Sequence, residues 1–254
     1  MIQVTDLVKR YNKAQRNAVD GISFDVRAGE FFALLGPNGA GKTTTISILT
    51  TTLSPTSGTA TIDGHDIVAE ASAVRRKVGI IFQRPSLDRN LTGEENVRFH
   101  AVLYGVYPYA PSYRLMPEPY RRQVSDLAAI VGLGDEVFEP VRTYSGGMSR
   151  KLEIVRSLIH RPKVLFLDEP TSGLDPTTAR GFDALVRSLV DDLGLTVFLV
   201  THDLDTLLTV VDRIIVLARG KVLADGTVNE ILAVDDPWIQ SYFSVRAMVA
   251  DADS

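Results

Sequence analysis

The stretch GPNGAGKTT, Gly36–Thr44, has the residue types and the spacing of a phosphate-binding loop. It fits the pattern G-x-x-x-x-G-K-[ST] and lies between a predicted apolar strand and a predicted helix, which is the context that such a loop requires. Its glycines allow backbone N–H groups to surround phosphate oxygens, and the N-terminus of the following helix adds a positive dipole. Lys42 then supplies a positive charge to the β- and γ-phosphates, and the Thr43 hydroxyl is a candidate ligand for Mg²⁺. The predicted nucleotide contacts are Gly36, Pro37, Asn38, Gly39, Ala40, Gly41, Lys42, Thr43 and Thr44.

An apolar segment further along the chain, VLFLDE at Val164–Glu169, ends in two acidic residues. The carboxyl ends of parallel strands face the ligand crevice of an α/β sheet, so these side chains are expected near the phosphate loop. We predict that Asp168 lies in the outer shell of the magnesium ion and that Glu169 orients or deprotonates a water that attacks the γ-phosphate. The alternative is a solvated pair of acids at an ordinary strand end, which the preceding phosphate loop makes less favourable.

Another apolar segment, TVFLVTH, ends at His202. A histidine at the end of a strand beside a phosphate site can bond the γ-phosphate, and we predict this role for His202. The other three histidines, His65, His100 and His160, have no such context. For them the sequence favours ordinary surface histidines with satisfied ring nitrogens.

A second candidate phosphate loop, YSGGMSRK, occupies residues 144–151. Ser145, Gly146 and Gly147 leave backbone N–H groups uncovered immediately before a predicted helix, and basic residues follow. One nucleotide site does not need two such loops, so the second loop calls for a separate explanation.

The elements that must position these residues are apolar strands alternating with helices, which predicts a parallel α/β core. A mostly helical block at about 91–157 interrupts the alternation and is a candidate for a separate lobe. The predicted strands are IQVTDLVKRY, AVDGISFDV, EFFALLG, GTATI, HDI, VGIIFQ, KVLFLDE, LTVFLVTH and the two strands of a closing hairpin, RIIVLARGKVLADG. The predicted helices outside the block include KTTTISILTTTL and PTTARGFDALVRSLVDDL.

Two segments have no chemical motif. GVYPYAPSYRLMPEPYR, inside the helical block, has four prolines and is predicted to be a surface loop, with a partner contact as the alternative. In the C-terminal segment 227–254, the stretch DPWIQSYF has apolar residues at 238, 239, 242 and 243, which is one face of a helix. We expect this tail to pack back on the domain, and a tail that stabilises a dimer is the alternative.

The composition is that of an ordinary globular protein, with 254 residues, 45% of them hydrophobic and 23% charged. A net charge of −4 and the lack of a basic stripe argue against nucleic acid as a partner. The chain has no cysteine, which excludes disulfides and thiolate metal sites. We find no signal-peptide pattern and no apolar run of about 20 residues, so work at a membrane would require another chain.

From about Val4 to Gly226 the motifs resemble those of the ATP-binding-cassette (ABC) ATPases, and they occur in the order of that family. GPNGAGKTT resembles the Walker A motif, VLFLDE the Walker B motif, and YSGGM the family signature Leu-Ser-Gly-Gly-Gln. The single-residue similarities are Gln83 to the Q-loop glutamine, Asp175 of SGLD to the D-loop aspartate, His202 to the switch histidine, and Tyr11 to the aromatic residue that stacks on adenine.

This resemblance implies a P-loop NTPase fold with a RecA-like core, an N-terminal antiparallel β subdomain and an inserted helical subdomain, within residues 1–226. It implies binding of ATP with Mg²⁺, held by Thr43, Gln83 and Asp168, and hydrolysis of ATP. In this family two copies pack head to tail, and the signature of one covers the γ-phosphate held by the other. Ser145, Gly146 and Gly147 would therefore act on the site of a second copy. Tyr144 and Met148 depart from the family's Leu and Gln, which leaves the role of position 148 open.

The resemblance also implies a partner, a transmembrane permease that the subunit drives from the cytoplasmic face of the membrane and contacts through about 84–104. The central part of the chain resembles ABC-2 type exporter ATPases for drugs, polysaccharides or lipid-linked cargo. The C-terminal part is closer to Mla-type phospholipid-trafficking ATPases. A soluble ABC protein acting on ribosomes or DNA, and a different P-loop enzyme such as a kinase or GTPase, are the alternatives from other classes.

Overall fold

The computed structural model describes residues 1–12, 14–84 and 86–250, with residues 245–250 as backbone. Its strands form two sheets, one of six strands in the order β10-β9-β3-β8-β7-β6 and one of four in the order β2-β1-β4-β5. The strands are β1 Ile2–Lys9, β2 Val19–Val26, β3 Phe31–Leu35, β4 Ser57–Ile62, β5 His65–Asp66, β6 Val78–Ile81, β7 Val164–Asp168, β8 Thr196–Val200, β9 Arg213–Ala218 and β10 Lys221–Gly226.

The six-stranded sheet is covered on both faces, and this explains its continuous apolar strands. Successive residues of a strand point to opposite faces, so Phe31 and Ala33 of β3 lie in one hydrophobic cluster while Phe32 and Leu34 lie in the other. Every pairing in this sheet is parallel except that of β10 with β9, the predicted closing hairpin. The predicted parallel α/β core is therefore confirmed.

The four-stranded sheet is antiparallel throughout and is built mainly from the N-terminal part of the chain. Strands β1 and β2 alternate between buried and exposed residues, as expected for a sheet with one covered face. A tight turn joins β4 and β5, with left-handed backbone at Asp63 (φ 51°) and Gly64 (φ 80°).

The helices lie between the strands and in the predicted insertion. Those of the insertion, between β6 and β7, share a core that includes Val97, Tyr120 and Leu152. The helices are α1 Lys42–Leu49, α2 Ala71–Lys77, α3 Gly93–Leu103, α4 Glu118–Ile130, α5 Gly146–Leu158, α6 Pro176–Leu193, α7 Leu204–Thr209, α8 Val228–Leu232 and α9 Pro237–Ala250.

Three details differ from the sequence predictions. The helix predicted to reach Leu53 ends at Leu49, where the Thr50 hydroxyl donates to the Ile46 carbonyl and Thr51 is left-handed (φ 62°). Helix α2 was not predicted, because it has seven residues and one buried side chain and so leaves a weak periodic signal. The Pro-rich segment is mostly irregular, but α4 begins inside it, since Pro is tolerated in the first turn of a helix.

The C-terminal segment packs back on the domain, as predicted, over its described residues; residues 251–254 lie outside them. Ile239 of α9 is fully buried, and its apolar neighbours on the same face contact the larger hydrophobic cluster. No helix among the described residues is long and apolar enough to cross a membrane.

Four phenylalanines join the two sheets. Phe32 of β3 stacks on Phe24 of β2 at 5.8 Å between ring centroids and lies 5.1 Å from Phe198 of β8. Phe198 continues to Phe166 of β7 at 5.2 Å. This cluster connects the antiparallel sheet to the strands that end at the phosphate loop and at the acidic pair.

We predict that Phe32→Ala destabilises the protein by about 3–5 kcal/mol, because it opens a cavity at the centre of this cluster. Leu115→Ala is the matched control, since Leu115 is mostly exposed and its truncation should change stability by less than about 0.5 kcal/mol. Urea unfolding followed by circular dichroism measures both. Equal unfolding free energies for the two variants would contradict the central place of Phe32.

Candidate active site

A cavity of about 730 Å³ lies where β3, β7 and β8 end, at the carboxyl edge of the parallel sheet. It is lined by residues of the phosphate loop and by the ends of the neighbouring strands. The lining residues are Ala18, Asn38, Gly39, Ala40, Gly41, Lys42, Thr43, Thr44, Gln83, Asp168, Glu169, Ser172, Val200 and His202. The structure thus brings together most of the residues predicted to bind the nucleotide and to act on it.

The phosphate loop depends on glycine at two positions where both space and backbone angle exclude a side chain. A Cβ on Gly36 (φ 153°) would lie 2.2 Å from the Leu217 carbonyl oxygen, and one on Gly41 (φ 107°) would lie 2.5 Å from the Ala18 carbonyl oxygen. Gly41 immediately precedes α1, so the loop delivers the helix N-terminus to the cavity.

Lys42 is buried at the start of α1, where its ammonium group donates hydrogen bonds to the carbonyl oxygens of Gly36 (2.5 Å) and Pro37 (3.2 Å). Burial lowers the pKa of Lys42, and the nearby carboxylates of Glu169 and Asp168 oppose that shift. The lysine therefore holds its own loop in shape and places a cation beside the two acids.

Glu169 follows β7 with left-handed backbone (φ 46°), and its N–H donates to the Val200 carbonyl of β8 at 2.8 Å. Its Oε2 accepts the backbone N–H of His202 at 3.2 Å. Its Oε1 is 3.3 Å from His202 Nε2, yet it is buried and has no hydrogen-bond partner among the described residues. Glu169 thus brings a partly buried carboxylate to the cavity that it lines.

Burial raises the pKa of both acids of the pair, Asp168 and Glu169, and the cation of Lys42 opposes the shift at each. Burial also lowers the pKa of His202, and Lys42 adds to that shift, so the imidazole is neutral at neutral pH. A neutral imidazole has one donor and one acceptor, so it can donate to a phosphate oxygen without adding a charge.

The residues predicted to hold Mg²⁺ fit that ion. Thr43, Gln83 and Asp168 line the same cavity and provide hydroxyl, amide and carboxylate oxygens, which a hard cation prefers. Among the described residues, no group of three or more His, Cys, Asp or Glu side chains is placed to hold a metal. Mg²⁺ usually takes few protein ligands and is completed by phosphate oxygens and waters.

Tyr11, the predicted adenine-stacking residue, lies beside the phosphate loop but is not part of the cavity lining. Its hydroxyl is 3.2 Å from Thr44 Oγ1, its ring is about half exposed, and Lys9 Nζ lies 5.7 Å from the ring centroid. The ring is thus anchored at the edge of the loop with exposed surface for a base, and its role in stacking stays a prediction.

The second loop does not contribute to this cavity. Ser145 is the N-cap of α5 and accepts the Met148 N–H at 3.1 Å, while Gly146 and Gly147 form the first turn. A Cβ on Gly147 would lie 2.7 Å from Thr178 Cγ2, so glycine is needed here for space and not for backbone angle. The first N–H groups of a helix have no intrahelical acceptor, so this loop is free to bind an anion elsewhere.

Asp175, the other residue predicted to contact nucleotide, lies beside the second loop. It caps α6 by accepting the N–H groups of Thr177 and Thr178 at 3.1 and 3.0 Å, and it also accepts the Thr178 hydroxyl. These hydrogen bonds lower its pKa. Thr178 of α6 lies against Gly147 in space, so the helix that Asp175 caps packs against the second loop. The contact of Asp175 with nucleotide stays a prediction.

Both departures from the family signature have structural partners. The Tyr144 hydroxyl donates to the Glu136 carbonyl at 2.5 Å, and burial raises the pKa of Tyr144 to about 12. Met148 is partly buried against the larger hydrophobic cluster. The sequence alone did not indicate either contact.

Sequence reasoning also missed the residues that hold the Gln83 segment. Arg150 of α5 donates to the carbonyl oxygens of Phe82 (2.8 Å) and Gln83, and it pairs with the fully buried Glu153 at 2.8 Å. Glu153 in turn accepts the Ser86 N–H at 3.0 Å. An Arg and a Glu three residues apart on a helix indicate an ion pair, but their partners across the fold are invisible in the sequence.

The expectation of surface histidines was wrong for His100 and His160. Both rings pack on Tyr104, at 4.4 and 4.2 Å between centroids, because α3 and the end of α5 lie side by side. Burial lowers the pKa of His100 to about 3, with the cation of Arg156 adding to the shift. These histidines are neutral packing residues.

The ABC transporter family profile matches residues 19–172, which is more than half of the chain. The chain is 44% identical over 230 residues to the daunorubicin/doxorubicin resistance ATP-binding protein DrrA of Streptomyces peucetius, a match that covers 91% of this chain and 66% of that protein. It is 34% identical over 231 residues to the linearmycin resistance ATP-binding protein LnrL of Bacillus subtilis, covering 91% and 70%. It is also 40% identical over 238 residues to the methionine import ATP-binding protein MetN 1 of Rhodococcus jostii, covering 91% and 68%. The chain therefore spans about two thirds of the length of these relatives.

Two solved structures have the same fold. One is the dimeric post-hydrolysis state of the ATP-binding cassette MJ0796 bound to ADP and Pi, with a TM-score of 0.76, 28% identity, and coverage of 89% of this chain and 98% of that one. The other is a nucleotide-free ATP-binding cassette from an ABC transporter, with a TM-score of 0.82, 25% identity, and coverage of 96% and 98%.

We predict that Met148→Gln leaves ATP hydrolysis within a few-fold of wild type, because the side chain fills space and the backbone N–H that Ser145 accepts is unchanged. Ser145→Ala is the comparison, since it removes the cap of α5 and the hydroxyl of the second loop together. Steady-state phosphate release measures both variants. A loss of roughly a hundredfold in Met148→Gln, as for a catalytic donor, would show that Met148 has a specific role.

Proposed function

Because the chain belongs to the ABC transporter family, we propose that it is the ATP-hydrolysing subunit of an ABC-2 type exporter and that it drives a separate membrane permease. The resemblance of its motifs to the ATP-binding-cassette ATPases is confirmed by the family match and by the cassette structures. The observation that carries the proposal is the convergence of Lys42, Asp168, Glu169 and His202 on one cavity while the Ser145 loop lies outside it.

Hydrolysis follows from the geometry of the cavity. The N–H groups of the phosphate loop and the Lys42 ammonium would bind the phosphates of ATP, while Thr43, Gln83 and Asp168 would hold Mg²⁺, which would neutralise charge on the phosphates. Glu169 would accept a proton from the water that attacks the γ-phosphate, ADP would leave as the bond to the β-phosphate breaks, and His202 would donate to the γ-phosphate. A base works when ionised, and the pKa of Glu169 is raised, so hydrolysis is lost as the pH falls through that raised value.

The second phosphate loop serves a second copy of the chain. Ser145 and Gly146 are exposed at the N-terminus of α5, and neither they nor Gly147 line the cavity of their own chain, which suits a head-to-tail dimer with nucleotide between the copies. Two solved structures of the cassette MJ0796, which is 28% identical to this chain, are dimeric, and this supports assembly as a dimer. This explains why one domain has two phosphate loops.

The names of the relatives support export of a drug-like compound. Two of the proteins described above are resistance proteins, for daunorubicin/doxorubicin and for linearmycin. The methionine import protein MetN 1 instead supports import as the direction of transport. An Mla-type role in phospholipid trafficking stays the alternative suggested by the C-terminal sequence. The net charge of −4 disfavours a ribosomal or DNA partner.

The permease contact is proposed for the segment 84–104, of which Pro85 lies outside the described residues. The end of α3 presents apolar side chains to solvent there, with Leu103 83% exposed and Phe99 39% exposed. Apolar residues exposed together on one helix face are typical of a protein interface. This face would bind the permease on the cytoplasmic side of the membrane.

We predict that Leu103→Asp prevents co-purification with the membrane permease, because it places a charge in an apolar interface. ATP hydrolysis by the isolated subunit should stay within about twofold of wild type, since an exposed substitution of this kind has little effect on the fold. Leu193→Asp is the matched control, an exposed leucine at the end of α6 that should leave co-purification intact. Full retention of the permease by Leu103→Asp would contradict this contact.

The central test of the proposed function is Glu169→Gln, which keeps the shape of the side chain and removes its charge. ATP should still bind, and hydrolysis should fall by roughly 10²–10⁴ because a general base is lost. The ATP-bound dimer should then persist, since ATP binds the dimer across both copies, and mass action favours it. Size-exclusion chromatography should give a dimer with MgATP and a monomer with ADP.

The double variant Glu169→Gln/Lys42→Ala is the control for that experiment. It loses the cation that binds the phosphates and should remain monomeric with MgATP. A monomeric Glu169→Gln variant at tens of micromolar, both alone and with the permease, would contradict the role of Ser145, Gly146 and Gly147 in the site of a second copy.

A further inference from the structure

The C-terminal helix α9 is bonded directly to the catalytic edge of the sheet. The hydroxyl of Tyr242, in the second turn of α9, donates a hydrogen bond to the backbone carbonyl oxygen of His202 at 2.9 Å. His202 lies 40 residues earlier, at the end of β8, and lines the nucleotide cavity. A segment without any nucleotide motif thus contacts the residue proposed to sense the γ-phosphate.

Helix α9 is held firmly enough to fix that hydroxyl. Asp236 caps the helix by accepting the N–H groups of Trp238 at 2.9 Å and Ile239 at 3.2 Å. Gln240 Nε2 donates to the carbonyl oxygens of Leu232 and Val234, which ties α9 to α8 and the turn after it. Ile239 is fully buried in the larger hydrophobic cluster.

The ring of Tyr242 is fixed from two sides. It stacks on Trp238 at 5.1 Å between centroids and meets Phe243 edge to face at 5.3 Å. Burial raises the pKa of Tyr242, and the negative charges of Glu169 and Asp203 raise it further. The phenol therefore stays protonated and acts as a donor, and it lies close enough to Glu169 to experience the charge of the proposed base.

His202 is consequently held at both of its peptide groups. Its N–H donates to Glu169 Oε2 at 3.2 Å, and its carbonyl accepts from Tyr242. The next N–H, that of Asp203, donates to Thr201 Oγ1 at 3.0 Å. These bonds fix the backbone of His202, and the backbone determines which direction the imidazole can take.

We propose that Tyr242 is a positioning residue for ATP hydrolysis. Through its hydrogen bond to the carbonyl of His202, it orients the imidazole relative to Glu169 and the γ-phosphate. The inference rests on the proposed function, because it assumes that His202 and Glu169 act on ATP. It makes α9 part of the apparatus that positions the switch histidine, beyond its contribution to packing.

Tyr242→Phe tests this role, since it retains the stacked ring and removes the hydroxyl. The kcat for ATP hydrolysis should fall by roughly three- to tenfold, the effect of one hydrogen bond of ordinary net strength, while the KM for ATP stays within about twofold. The ring signal of His202 in the NMR spectrum of histidine-labelled protein, assigned with His202→Gln, should shift in Tyr242→Phe.

Tyr113→Phe is the matched control, because the Tyr113 hydroxyl also donates to a backbone carbonyl, that of Arg121, but in the helical insertion. It should leave both kcat and the His202 signal unchanged. An unchanged kcat in Tyr242→Phe, an unmoved His202 signal, or an equal loss of activity in Tyr113→Phe would each overturn the proposal. Failure of the proposed function is distinguishable, because wild-type protein would then release no phosphate while the NMR signal still reports the contact.

Discussion

The covering of the six-stranded sheet on both faces is the constraint on which the site depends. Because residues such as Phe31 and Phe32 point to opposite hydrophobic clusters, each central strand is apolar along its whole length. A polar side chain is tolerated only where such a strand ends, and the parallel strands all end at the same edge. Asp168, Glu169 and His202 are therefore neighbours in space although the last two are 33 residues apart in the chain.

The close packing of charged groups at that edge changes their pKa values. Lys42, Asp168 and Glu169 are drawn partly out of water, so burial lowers the pKa of the lysine and raises those of the acids. Their mutual attraction opposes both effects, which keeps a cation for the phosphates and carboxylates for water and metal in one small volume. Oε1 of Glu169 has no hydrogen-bond partner among the described residues, which is a cost in stability at this edge of the sheet.

Helix α5 connects the two phosphate loops. Its N-terminus begins at Ser145, which serves the second copy in the proposed dimer, and its next turns hold Phe82 and Gln83 through Arg150 and Glu153. Together with the bond from Tyr242 to His202, these contacts connect both flanks of the nucleotide site to helices outside the parallel sheet.

Local patterns in the sequence determined the chemistry of this protein. GPNGAGKTT, the acids after VLFL and the histidine after TVFLVT are motifs of contiguous residues, and the apolar strands between them dictate a parallel sheet with one functional edge. The insertion and α6 also followed from periodicity, since long amphipathic segments carry a strong signal.

Only the tertiary structure decided the contacts between segments that are far apart in the chain. These include the clamp of Arg150 on the Gln83 segment, the packing of Tyr144 and Met148, the burial of His100 and His160, and the bond from Tyr242 to His202. A single tyrosine or arginine has the same appearance in the sequence whatever it contacts, because its partner is chosen by the packing of whole elements. The sequence thus determined which groups are the candidates for the chemistry, and the fold decided which groups hold them in place.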